Sequence, residues 1–352
     1  MDALDPPAPA DWLDGRAAAH DFSGVVLVWR DGRQLFAHAG GFAHRGHRVR
    51  NTMATRFACA SVTKMVTAAV ALRLVERGRF TLDDSVIDVL PSQWRPNALT
   101  PQHTLRQLLQ HTSGFANYHD DTDSTWASFT SCWDRIAPQR IRRTADLMPL
   151  LTDLSLMSEP GTVYRYNDAG YLIAGLVLEA VTGLSFADLA TSEVLEPAGM
   201  THSIFASMDD EPDDLASAYY TDADAPFEAW RTNLYGVPAM AMPDGGMVTT
   251  ATDLARFIDA LRAGRLVSPE HFDVMRTPNP LAPGIDSYGL GLELAVVDGA
   301  VTTLGHGGSD PGISARVAHY LADETTIVVL CNLDRGAWAV SQEVAARFGL
   351  RP

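Results

Sequence analysis

The segment Phe57-Ala58-Cys59-Ala60-Ser61-Val62-Thr63-Lys64 sets a hydroxyl and an amine three residues apart, ahead of the apolar run Met65 to Val70. Residues three apart on a helix share a face, so the Lys64 amine comes within reach of the Ser61 hydroxyl. A serine hydroxyl is a weak nucleophile until a neighbouring base takes its proton. If Ser61 opens the helix, its backbone N–H has no intrahelical acceptor and can act as one donor of an oxyanion hole. Taken alone, Ser-x-x-Lys more often marks a capped amphipathic helix that carries a surface lysine.

Further segments change that weighting. They are Leu105-Arg106-Gln107-Leu108-Leu109-Gln110-His111-Thr112-Ser113-Gly114-Phe115, Pro160-Gly161-Thr162-Val163-Tyr164-Arg165-Tyr166-Asn167-Asp168-Ala169-Gly170-Tyr171, the stretch Gly245 to Phe257, and Gly305-His306-Gly307-Gly308-Ser309-Asp310-Pro311-Gly312. In this order and spacing the chain resembles the penicillin-binding protein and class C β-lactamase superfamily, which includes D,D-peptidases, D-aminopeptidases and family VIII esterases. The resemblance runs from Phe22 to Leu333. It implies Ser61 as the acylated nucleophile, Lys64 as its partner, and Tyr166 as the Tyr-x-Asn tyrosine that works with the lysine as general base and acid. It matches His306-Gly307-Gly308 to a Lys-Thr-Gly or His-x-Gly strand, and it makes the N–H of Ser309 the second oxyanion donor. His111 to Gly114 matches a segment that supports the site, although a structural turn is the commoner role for such residues. No cofactor is implied.

Two departures from the resemblance carry chemical weight. Asp168 stands where asparagine is usual. Asparagine donates from its amide, whereas an ionised aspartate only accepts, so Asp168 is a poor clamp for a substrate's amide carbonyl. It could instead pair with Lys64 and keep it cationic, which would favour a Tyr166 phenolate and make Tyr166 the stronger base. The plainer reading is an N-cap for the helix from Ala169 onward. His306 replaces a lysine, and near neutral pH an imidazole supplies only part of a cation's charge, so substrate carboxylates are less strongly implied.

The elements that must position these groups read as follows. Gly24 to Arg30 and Arg33 to Ala39 are β-rich runs joined by Asp31-Gly32, a strong hairpin signal. Val301–Leu304, Ala315–Leu321 and Thr325–Leu330 read as three more strands, with Ala322-Asp323-Glu324 turning the last pair. Ala8–His20 and Ala337–Phe348 read as terminal helices. Between them, Ser61–Arg77, Thr104–Gln110, Ala145–Leu154, Ala169–Val181, Ser185–Val194 and Thr252–Ala263 read as helices, with starts marked at Ser185 and Thr252-Asp253. The expected fold is α+β: a five-stranded antiparallel sheet domain from residues 1–60 and 285–352, an inserted helical domain from 61–284, and the active-site cleft between them.

Composition limits the partners. The 352 residues carry a formal net charge of −16, which disfavours nucleic acid and anionic membranes. The first twenty residues lack a basic and apolar leader pattern, and no apolar run approaches a membrane span. Cys59, Cys132 and Cys331 have no metal-ligand spacing and fit a reducing compartment, so the expected setting is cytoplasmic. No Gly-x-Ser-x-Gly elbow or His-Glu-x-x-His pattern competes. His103, His202 and His271 read as surface or loop residues. Phe115, Tyr118, Trp126, Phe129 and Trp133 could line an acyl pocket or pack under a loop. The expected activity is that of an esterase or amidase on a small ester, amide or lactam. The alternatives are a β-lactamase, a D,D-carboxypeptidase or D-aminopeptidase, an acyltransferase, or, more remotely, a non-catalytic sensor of acyl ligands.

Overall fold

Asp31 and Gly32 both adopt positive φ, 49° and 73°, the pair of left-handed conformations that lets a two-residue turn follow strand twist. They join β1 (Gly24–Arg30) to β2 (Arg33–Gly40). The other strands of this sheet are β3 (Asp286–Tyr288), β4 (Glu293–Val297), β5 (Ala300–Asp310), β6 (Ile313–Tyr320) and β7 (Thr325–Cys331). All seven form one antiparallel sheet in the order β2-β1-β7-β6-β5-β4-β3. This computed structural model describes residues 9–120, 125–220, 229–282, 284 and 286–351. Ala8 and residue 285, limits of an expected helix and an expected domain, lie outside the described residues.

The expected sheet had five strands. The two added at its edge, β3 and β4, have three and five residues, too few to display a two-residue alternation. Strand β5 also runs on from Leu304 to Asp310, because pairing with β6 carries it through glycines that disfavour strand on propensity alone. Alternation along β1 and β7 divides the core. Val26, Val28, Ile327 and Val329 pack against the terminal helices α1 (Pro9–Ala18) and α6 (Ala337–Arg347). Val25, Leu27, Val328 and Leu330 face the core that includes α2 (Thr63–Glu76) and α5 (Ala251–Arg262). Each such side chain contributes about 1.5–3 kcal/mol on burial.

The helical part is completed by short helices and by α3 (Leu105–Leu109) and α4 (Asp168–Thr182). Thr104 and Gln107 form a capping box at the start of α3. Ser185 caps its helix as expected. Helix α5 starts earlier than expected: Thr250, rather than Thr252, accepts the N–H of Asp253. The Ala145–Leu154 helix divides into a 3-10 turn at Thr144–Leu147 and one α turn at Met148–Leu151, with Pro149 in its first turn, where a missing N–H is tolerated. His103 is buried rather than superficial, and its ring stacks 4.6 Å from that of Phe115.

Candidate active site

Ser61 lies in a 3-10 turn, Ala60–Val62, that leads into α2. Ala60 before it has φ 47°, a conformation unfavourable by roughly 1–2 kcal/mol for a residue with a Cβ. The neighbouring loop holds it there. Ala60 O accepts from Gly246 N at 3.3 Å and from Thr63 Oγ1 at 2.7 Å. Thr63 Oγ1 accepts from Met247 N at 3.0 Å, and Cys59 N donates to Met247 O at 3.0 Å. The Gly245 to Phe257 signature thus begins as a clamp on the Ser61 turn.

Lys64 is fully buried one helical turn further on. Its Nζ lies 2.9 Å from Ser61 Oγ, 2.6 Å from Asp168 Oδ1 and 2.6 Å from the Asp244 carbonyl oxygen. Two of these partners can only accept; the third is a hydroxyl that can also donate. Asp168 does not cap α4. That role falls to Asn167, whose Oδ1 accepts from Gly170 N at 2.6 Å. Asp168 occupies the first helical position and turns its carboxylate to Lys64 and, at 2.9 Å, to His119 Nε2. Burial alone would raise its pKa, but Lys64 and His119 hold it well below the usual carboxylate range.

The Tyr166 ring centroid lies 5.1 Å from Lys64 Nζ. Burial and the Asp168 charge push its phenol well above the ordinary value, and hydrogen bonding with Ser61 opposes them without reversing them. The resting group is a phenol, so the expectation that Lys64 would bring out a phenolate is corrected: Asp168 lies close enough to offset that cation. His111 supports this segment physically. Its Nδ1 accepts from Asn167 N at 3.0 Å, its carbonyl accepts from Arg165 N at 2.9 Å, and its ring stands 4.2 Å from the Tyr166 ring. Burial and the Lys64 charge lower its pKa, which keeps Nδ1 available as an acceptor.

Strand β5 closes the other side. A Cβ on Gly308 would lie 2.4 Å from Cys59 O and 3.1 Å from Ser61 N, so only glycine lets the strand approach the Ser61 turn this closely. Ser309 follows and lines the cleft beside Ser61. His306 does not face that cleft. It is 1% exposed, its Nε2 is 2.9 Å from Tyr288 Oη, and burial lowers its pKa. It is a neutral packing residue beneath Gly307, which itself lines the cleft.

Two cavities meet at Ser61. One, about 850 Å³, is walled by Tyr118, Phe129, Trp133 and Met240 and carries Asp244 and Asp310. The other, about 880 Å³, is lined by Tyr166, Glu293, Asp334, Arg335 and Trp338. Of the aromatics in the Phe115–Trp133 stretch, three therefore face the first cavity, Phe115 is core, and Trp126 donates to Asp334 at 2.9 Å. Asn117, His119, Asp244 and Asp310 went unrecognised in the sequence. Asn117 Oδ1 accepts from Asp168 N at 3.1 Å, and Asp244 Oδ2 accepts from Tyr118 Oη at 3.0 Å. They sit in segments without periodicity, where nothing local reveals which carboxylate meets Lys64. The three cysteines are buried and free, with thiols pushed to about 12, which makes them unreactive. Among the described residues no cluster of His, Cys, Asp or Glu could hold a metal.

Asp310 gives a pH prediction. Burial, with Asp168 and Asp244 adding to it, raises its pKa from 3.8 to about 7. Between those values the folded chain keeps a proton that the unfolded chain has lost, so stability declines as pH rises through this window. Asp310→Asn is expected to match the parent near pH 4 and to exceed it by roughly 2–4 kcal/mol at pH 8. Urea unfolding at both pH values checks this; a variant no more stable than the parent at pH 8 contradicts it.

A family model described as Beta-lactamase matches residues 10–348. Penicillin-binding protein 4* of Bacillus subtilis (strain 168) is 28% identical over 325 residues, covering 89% of this chain and 68% of that protein. A D-aminopeptidase of Cereibacter sphaeroides is 27% identical over 325 residues; the match covers 92% of this chain and only 59% of that enzyme. The crystal structure of a penicillin binding protein from Bacillus halodurans superposes with a TM-score of 0.88 at 31% identity, over 96% of this chain and 100% of that one.

Proposed function

The chain belongs to the Beta-lactamase family, and on that footing we propose that it is a serine hydrolase that forms an acyl-enzyme on Ser61 and prefers small esters to β-lactams. The observation that carries the reading is the set of three partners around Lys64 Nζ: Ser61 Oγ, Asp168 Oδ1 and Asp244 O. Lys64 is paired with Asp168 at rest and first releases one proton to solvent; the amine so formed keeps its two hydrogens on the Asp168 and Asp244 acceptors and turns its lone pair to Ser61 Oγ. It takes the serine proton as Oγ attacks, and Asp168 and the Asp244 carbonyl stabilise the ammonium that results. The oxyanion lies between the N–H groups of Ser61 and Ser309. The ammonium proton passes through the Tyr166 phenol to the leaving group, which restores the amine. Water then attacks the acyl group by the same route in reverse.

The preference for esters follows from what surrounds this machinery. Asp168 offers no donor to an acylamino carbonyl, and His306 is neutral and buried. Arg335 is a cation of the second cavity, but the Asp334 charge already acts on it, so a lactam carboxylate must compete with Asp334 for it. Each missing contact corresponds to about 1–3 kcal/mol, roughly 5- to 150-fold in rate. The expected result is a larger kcat/KM for p-nitrophenyl acetate or butyrate than for nitrocefin, with a matching acyl mass on the intact protein. Faster turnover of nitrocefin would overturn the preference; turnover of neither, with no adduct, would overturn the hydrolase itself.

A further inference from the structure

We infer that the apolar cavity beside Ser61 receives an acyl group that carries a positive charge, with Asp310 as its counter-ion. This rests on the acyl-enzyme reading and specifies its substrate class. Three carboxylates, Asp168, Asp244 and Asp310, line this cavity. Asp168 is matched by Lys64 and His119, and Asp244 by the Tyr118 hydroxyl. Asp310 lines the same cavity, and among the described residues it has neither a hydrogen-bond donor nor a cation on it. It is nonetheless held in place. It ends β5, opposite Ile313 in the hairpin to β6, directly after Ser309. The hairpin in turn is fixed against the chain at Tyr219, since a Cβ on Gly312 would lie 2.7 Å from Tyr219 N.

The walls restrict what can occupy the space. A neutral acyl group filling it would strip water from Asp310 and give nothing in return, which is unfavourable for any buried polar group and more so for a charged one. An anionic acyl group would meet Asp168, Asp244 and Asp310 together. A cation relieves both problems, and the Tyr118, Phe129 and Trp133 rings add faces that attract an ammonium. The raised pKa of Asp310 fits a carboxylate that the cations around it do not fully compensate. The other cavity, which carries Arg335, is left to the departing group.

The test compares two p-nitrophenyl esters that differ by one atom, 4-(trimethylammonio)butanoate and its uncharged isostere 5,5-dimethylhexanoate. Quaternary nitrogen keeps its charge at every pH and cannot cyclise onto the ester. The parent is expected to favour the cationic ester by about tenfold or more in kcat/KM. In Asp310→Asn that ratio should fall to near one, and in Asp310→Glu part of it should return. Because both esters are read on one protein preparation, a general loss of activity cancels from the ratio. A parent that treats the esters alike or favours the neutral one overturns the inference, as does a preference that survives Asp310→Asn. If neither ester acylates Ser61, the hydrolase reading fails first, and the missing adduct identifies that outcome.

Discussion

Ser61→Ala is expected to reduce ester turnover by about a millionfold, to the level that oxyanion donors and binding alone sustain. The same variant should show no acyl adduct by intact mass under conditions that label the parent stoichiometrically. The fold should not change, because the turn is held through Ala60 O, Thr63 and Met247 rather than through the serine hydroxyl. That separation makes the experiment decisive. A Ser61→Ala protein with the parent's thermal unfolding and the parent's activity would place the nucleophile elsewhere. The buried cysteines are poor substitutes, with thiols pushed to about 12.

Lys64→Met is expected to affect both activity and stability. Loss of the base should lower kcat by three or more orders of magnitude, roughly the contribution of a positioned proton acceptor. Stability should fall by about 3–5 kcal/mol, because removing one member of a buried pair leaves the other charge without compensation. Adding Asp168→Asn to Lys64→Met tests that cause: stability should largely return while activity stays low. Lys64→Met and Ser61→Ala should also be strongly non-additive, since proton transfer and attack are one event. Measuring kcat and urea unfolding on all these variants checks the set. A Lys64→Met enzyme of near-parental kcat would move the base to another group.

The contrast between Asn167 and Asp168 shows where local sequence stops being informative. Both residue types favour an N-cap, and they are adjacent. Only the buried Lys64, 104 residues away in the chain, decides that Asn167 takes the cap and Asp168 the ion pair. Ser61 and Lys64 were legible because their relation is helical and local. The hairpin at Asp31-Gly32 was legible for the same reason. His306 differs from its expected role because a residue on a strand next to a cleft can point either way, and the packing of Tyr288 and Glu293 sends it inward. Asp310 and Asp244 were invisible for a related reason: a carboxylate at a strand end or in a loop carries no sign of what surrounds it until the chain is folded.

The order of strands in the sheet has a consequence for synthesis. Strand β1, Gly24–Arg30, pairs along its whole length with β7, Thr325–Cys331, about 300 residues later in the chain. Closing a loop of about 300 residues costs roughly 5 kcal/mol of chain entropy beyond initiation, and the partner must first exist. A nascent chain can collapse its helices around Lys64, but it lacks Ser309 and the whole of β5 to β7 until Ala300–Cys331 have been made. Up to that point the inner edge of β1 is an unpaired template for other strands. Until then the chain lacks the second wall of its candidate active site, and the sheet that carries that wall closes only when β7 meets β1.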